Sequence, residues 1–287
     1  MVHGKKTNGK GNYKMKYNQV FSAFIKESIF TKELLCQGVT QIRKANYSSK
    51  GLYYQSFVLL STGLERLCKL CLILEYYVRT QGSLFSDSEI TNYGHKISKL
   101  FDRCEQIRKD YNIKLRFTYK MDGNIRQSII DLLDDFSKTT GRYSNINILI
   151  GKEKSSVDCI DKWFNNVDIP LFEKHVSKNK KRKIQDRANY IGDMLNRFAL
   201  VSYISENNTE ITNAIEASRR TGEWEAVAPY RQLYLLQIIR YLVEILEDLG
   251  YKAMAVNPYD IPYFSEIFGL FYNDNSYFRT RKTWDKL

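Results

Sequence analysis

The stretch FVLLSTGLERLCKLCLILEYYV (residues 57–78) is long and apolar enough to be read as a membrane span or as a core helix, and the choice decides the fold. Glu65, Arg66 and Lys69 stand in its middle. A hydrocarbon interior would leave those three charges without water, so the stretch is not a span. Working outward from it, Tyr53, Phe57, Leu60, Leu64, Leu67, Cys71, Leu74 and Val78 recur at alternating spacings of four and three. That is one stripe of a helix over 50–79, buried against neighbouring helices. Gly82 and Ser83 end the pattern.

The flanking sequence points the same way, to an all-α protein. Only four prolines occur, all after residue 169, so nothing before that position breaks a helix. Hydrophobic content of 43% supplies an ample core. Helices are expected over 15–45, over 94–110 (Ile97, Leu100, Phe101, Cys104, Ile107) and over 125–138 (Ile125, Ile129, Leu132, Leu133, Phe136). Residues 111–124 alternate enough for a short extended segment, closed by Asp122-Gly123-Asn124. Gly141 is placed to end a helix. Later helices are expected over 155–166, stopped at Pro170, then on Ile184, Ala188, Ile191, Leu195 and Phe198, and over 229–249, ending at Gly250. The aromatic tail 257–278 is expected to pack on the body. The resulting plan is a flexible basic arm over 1–14, a helical bundle over 15–150 and a helical region over 151–287.

The formal charge of +12 is concentrated. Residues 1–16 contribute +5 from five lysines, and KNKKRKIQDR (178–187) contributes a further +5. Lys180, Lys181, Arg182 and Lys183 form the centre of this second strip. Such strips attract phosphates and speed encounter with nucleic acid, although a solvated tail and a solubilising loop have the same composition. The polar first 18 residues lack the apolar core of a secretory signal, and no span is present, so a soluble cytoplasmic protein with no membrane partner is expected. Five cysteines in such a chain read as reduced thiols.

Signatures of chemistry are few. Cys68 and Cys71 form a C-x-x-C, but both lie inside the long helical pattern with no second pair, which reads as packing. The three histidines, His3, His95 and His175, have no metal-binding spacing. No phosphate-loop, dinucleotide or serine-nucleophile motif occurs. No cofactor or metal is therefore expected. Glu65 and Lys69, four apart, share one helical face beside Arg66. They read either as a surface ion pair or as a polar cluster positioning another charged group such as Arg142.

STGLERLCKLCLI on the second helix, GHKISKLF (94–101) opening a third, and GRYSNINIL (141–149) after it together resemble a HEPN-type helical domain over about 50–150. The resemblance implies a helical bundle that dimerises. It also implies RNA as substrate, as in metal-independent ribonucleases of phage-defence and toxin–antitoxin systems, with an antitoxin or other defence protein as partner. Non-catalytic interaction modules and nucleotide-binding regulatory domains are the alternatives within the same resemblance. Catalytic members carry an Arg followed about four to six residues later by His, and none of the three histidines here follows an arginine so. Metal-free RNA cleavage needs a base, an acid and a cation for the phosphorane. Under the resemblance Arg142 supplies the cation, His95 or Tyr143 the acid/base and Asn145 a phosphate or sugar contact, with Glu65 beside Arg142. Arg66, Lys69, Lys180, Lys181, Arg182 and Lys183 are the cations expected on RNA. In the structural alternative, GRYSNIN is a corner in which Arg142 pairs with Glu65 and Asn145 or Asn147 caps a turn. Both readings place Arg142 near Glu65.

Overall fold

The computed structural model describes residues 18–85, 93–117, 123–152, 157–195, 198 and 200–284. The expected basic arm over 1–14 lies outside the described residues. The chain starts with α1 (Gln19–Lys44), whose N-cap Asn18 accepts a hydrogen bond from the Phe21 amide at 2.8 Å. Arg43 and Lys44 in the last turn suit the negative end of its dipole. A short connection returns the chain into α2 (Gly51–Arg79), so the two helices lie side by side. Of the stripe that began at Tyr53, only Val78 is left half-buried. Two glycines set the approach: a Cβ at Gly38 would stand 2.7 Å from Leu60 Cγ, and one at Gly63 would stand 2.8 Å from Leu35 Cδ2. Ser56 Oγ adds a hydrogen bond to the Gly38 carbonyl at 2.9 Å across the same contact.

Next come α3 (Ile97–Asp110) and α4 (Asn124–Ser137), both packed on α2. The expected extended segment does not form where it is described, because 111–117 runs as turns and coil. Short helices α5 (Thr139–Arg142) and α6 (Ser144–Leu149) follow. Gly141 does not end a helix. It lies within α5, where a Cβ would stand 2.4 Å from the Asp135 carbonyl oxygen, so the glycine is needed for close approach to the end of α4.

Helix α7 (Cys159–Trp163) runs directly into a π-helix (Phe164–Asp168) and then α8 (Ile169–His175). Pro170 therefore does not stop the helical run. It stands at the junction between the π-turn and α8, where the Ile169 amide still bonds the Phe164 carbonyl, and the wider π-turn relieves the clash a proline makes in an α-helix. The basic strip forms α9 (Lys178–Leu195). Two-residue strands β1 (Tyr203–Ile204) and β2 (Glu210–Ile211) pair antiparallel ahead of α10 (Ala214–Val256), a 43-residue helix. The expected start at 229 is thus 15 residues late. Pro229 lies inside α10, and the carbonyl it leaves unpaired, four residues earlier at Glu225, is on an exposed residue where water can bond it.

The fold is all-α apart from that one small ribbon among the described residues. Helix α10 packs on both α1 and α2. After it, α11 (Phe264–Phe268), a 3-10 turn (Gly269–Tyr272) and α12 (Asn275–Thr280) wrap back over the body. Phe264, Phe268, Phe271, Phe278 and Trp284 are buried there, as the aromatic tail led one to expect. Tyr77 donates to Asp260 at 2.6 Å, and the Trp284 amide donates to Thr40 Oγ1 at 2.8 Å. One apolar cluster runs from Phe24 to Trp284, so residues on both sides of position 150 share a core. No described helix is long and apolar enough to cross a membrane.

Candidate functional site

The residues expected to form one site fall in two places. Glu65, on α2, is held at 2.8 Å by Lys69 Nζ and at 2.8 Å by His95 Nδ1, both on Oε1. Arg142 instead lines a cleft at the start of α2 with Lys50, Gly51, Tyr54 and Phe57. Glu65 is eight residues beyond Phe57 and fourteen beyond Gly51, which at 1.5 Å rise per residue puts it roughly 12–21 Å along the helix axis. The expected approach of Arg142 to Glu65 is therefore not made. His95 goes with Glu65 because the turn leading into α3 packs beside the middle of α2, away from the cleft.

The cleft encloses about 440 Å³ and brings Arg142, Tyr143 and Asn145 together with Glu206 and Asp158. The Arg142 guanidinium lies 5.9 Å from the centroid of the Phe136 ring. Its Nε is buried without an acceptor, and no carboxylate pairs with it among the described residues. The carboxylates nearby are engaged elsewhere: Asp158 caps α7 and accepts from Asn208, while Glu206 pairs with Arg220. Cys159 also faces the cleft, but burial pushes its thiol up to about 12, so it stays protonated at neutral pH and is no nucleophile. Along TTGRYSNINILIG the polarity is inverted, with Asn147 buried while Ile146, Ile148, Leu149 and Ile150 stand exposed.

The six cations expected on RNA also divide. Arg66 Nη1 donates to both carboxylate oxygens of Glu27 at 2.7 and 2.8 Å, and Lys69 is taken by Glu65, so both charges are already met by carboxylates. On α9, Lys181 pairs with Glu173 at 2.6 Å. Lys178, Lys180, Arg182, Lys183 and Arg187 are exposed and have no carboxylate partner among the described residues. Only Ile184, Ala188 and Gly192 of α9 are buried, where it packs on α10. Beside that seam runs a groove of about 430 Å³ with Lys180, Lys183 and Arg187 on one wall, Glu225 on the other, and Tyr47 and Ile184 in its lining. First-turn lysines oppose the helix dipole, and no acid stands in that turn to offset them. The first-turn lysines therefore do not stabilise α9 through its dipole.

A third assembly was not anticipated. Arg231, from α10, makes a two-pronged pair with Asp168 of the π-helix, Nε at 2.6 Å and Nη2 at 2.5 Å. Its remaining donors reach Tyr53 Oη at 2.7 Å and the Ala45 carbonyl at 2.7 Å, and Trp163 Nε1 also donates to Asp168 at 2.9 Å. Burial works against the charge on Arg231, but Asp168 outweighs it and holds the guanidinium above its ordinary value. A second buried pair, Arg220 to Glu206 at 3.0 Å, stands beside the first. One signal was available: Arg231 extends the α10 stripe of Leu235, Ile238, Leu242, Ile245 and Leu249 at the same spacing, so a cation sits on a core face. Glu206, in an irregular loop, gave none.

Among the described residues no group of three His, Cys, Asp or Glu side chains is arranged to hold a metal ion. Comparison with family models, with curated proteins and with solved structures finds no match to this chain.

Proposed function

We propose that this protein binds single-stranded RNA along the exposed face of α9 and the groove beside it. The observation that carries this reading is the row of five exposed α9 cations without carboxylate partners among the described residues, two of them in the first turn, where they oppose the helix dipole. A polyanion supplies the missing counter-charge, and the Tyr47 and Leu195 side chains in the groove offer surface to bases. The likeness of residues 50–150 to HEPN-type domains supports RNA as that polyanion. The test is fluorescence anisotropy of a labelled single-stranded RNA over a range of salt. Replacing Lys180, Lys183 and Arg187 by Glu lowers affinity, and the slope of log K against log salt falls by about 0.7 for each phosphate contact removed. Unchanged affinity and slope in that variant would remove the proposal.

A metal-independent ribonuclease is the second reading, favoured by the unpaired guanidinium of Arg142 beside Tyr143 and Asn145. His95 is tied to Glu65 on another part of α2, so any help it gives to Arg142 comes from a second protomer. In this reading labelled RNA is cut in EDTA by the wild type and not by Arg142→Ala. Uncut RNA with both proteins leaves RNA binding without cleavage.

A further inference from the structure

Between the π-helix, α8 and the first half of α10 lies a cavity of about 250 Å³, on a different face of α10 from the basic groove. Phe164, Phe172 and Trp224 supply its aromatic walls. Its polar walls hold the two buried ion pairs Arg231–Asp168 and Arg220–Glu206, all four side chains at most 9% exposed, with Glu173 and the more exposed pair Arg219–Glu223 further out. Each of these carboxylates has a cation on it, Glu173 through Lys181 from outside the cavity, so the walls carry no uncompensated charge. Buried ion pairs are seldom the most stabilising way to fill a core. A π-turn, such as the one that carries Asp168, frequently marks a functional site.

The hydrogen bonding of these walls is unsaturated. Arg220 uses Nη2 toward Glu206 and Asn207, and its Nε and Nη1 have no acceptor among the described residues. The same guanidinium lies 4.2 Å from the Phe164 ring centroid, so cation and ring present a flat surface. Glu206 Oε1 has only a long contact, 3.5 Å, from Tyr53 Oη. Trp224 Nε1 is buried with no acceptor among the described residues. Flat walls select a planar ligand. Free donors next to a weakly engaged carboxylate oxygen select an edge with an acceptor beside a donor. Neutral walls select a neutral molecule, because a zwitterion would have to give up the hydration of two charges to partners already neutralised. The size falls below the roughly 300–1,000 Å³ of drug-sized pockets, so it suits one ring system and not a nucleotide.

We propose that this cavity binds one neutral heteroaromatic ring system of the nucleobase type, with its faces on the aromatic walls and its polar edge toward Arg220 and Glu206. The site needs no phosphate and stands apart from the RNA reading. The experiment is equilibrium dialysis of the full chain against labelled adenine, guanine, cytosine and uracil, with thermal melting in parallel. One of the four is retained once per chain and raises the melting temperature. Arg220→Gln weakens that retention about tenfold or more. Ile169→Trp, at a lining position 43% exposed and therefore tolerant of substitution, fills the mouth and abolishes retention. The proposal is overturned if the wild type retains none of the four up to about 1 mM, or if Ile169→Trp retains the ring as the wild type does. It is also overturned if L-phenylalanine is retained in place of the bases, or if retention is lost on Lys180→Glu but kept on Ile169→Trp.

Discussion

Arg66 on α2 and Lys180 on α9 are both cations on helix surfaces, and in the sequence they look alike. Their surroundings differ. Helix α2 has α1, α3 and α10 against it, and the neighbouring backbone brings Glu27 within 2.7 Å of Arg66. Helix α9 buries Ile184, Ala188 and Gly192 against α10, touches α8 through Lys181, and leaves most of its circumference in water. A charge on a helix packed from several sides is matched by its neighbours, whereas a charge on a helix packed from one side is available to a ligand. Arg231 is the extreme of the matched class, fully enclosed and bonded to Asp168, Tyr53 and a backbone carbonyl.

The largest effect is expected at that extreme. Arg231→Met leaves the Asp168 carboxylate buried with Trp163 as its remaining partner, and the loss should be about 3–5 kcal/mol in urea unfolding. Replacing both partners, Arg231→Met with Asp168→Leu, should recover most of it, because a buried pair is costly mainly when broken. A loss below about 1 kcal/mol in the single variant would break the comparison at its strongest point.

The difference between the two classes also marks what could be read from sequence. Period located α2 and the stripe at the centre of its buried face, since apolar burial follows spacing. Ser56, Ser61, Cys68, Leu70, Leu72, Glu75 and Tyr77 are nevertheless buried beside that stripe, because neighbours pack on α2 from several sides. Helix ends around proline were misplaced for a physical reason: Pro170 and Pro229 are tolerated because a π-turn precedes one and the carbonyl freed by the other belongs to an exposed residue. Arg142, Tyr143 and Asn145 were brought together because they are adjacent in the chain. Which charges face each other across the fold is a tertiary property. Glu27 to Arg66, Glu206 to Arg220 and Asp168 to Arg231 span 39, 14 and 63 residues, and no spacing rule reaches them. Tyr53 was read as part of an apolar stripe and is also the hydroxyl that accepts from Arg231.

A smaller effect tests the unmatched class by its sign. Lys178→Glu with Lys180→Glu places acids in the first turn of α9, where the dipole favours them, and should raise stability by about 0.3–1 kcal/mol per site. The same change should weaken RNA binding. Arg66→Ala should do the reverse, costing about 0.2–1 kcal/mol because the pair with Glu27 is some 40% exposed, with RNA affinity unaltered. Paired melting and anisotropy measurements on the two variants separate matched from unmatched charge. Loss of stability in the α9 variant would show that those lysines support the fold.

The smallest effect is expected where a titrating group sits among cations. His175, at the end of α8, stacks on Tyr230 with ring centroids 4.2 Å apart, and its Nε2 lies 3.2 Å from Tyr234 Oη. Burial holds its pKa below the ordinary histidine value, and Lys174 and Arg279 lower it further. The unfolded chain therefore binds this proton more readily than the folded one. Stability from the neutral ring is present above about pH 6.5 and is lost as pH falls from there through the folded value, after which the loss stops. His175→Phe keeps an aromatic ring on Tyr230 but cannot titrate, so its melting temperature should fall less than that of the wild type as pH drops below about 6.5. Parallel curves for the two proteins would mean that carboxylates elsewhere set the acid limb, and that Lys174 and Arg279 stand too far into solvent to act on the ring.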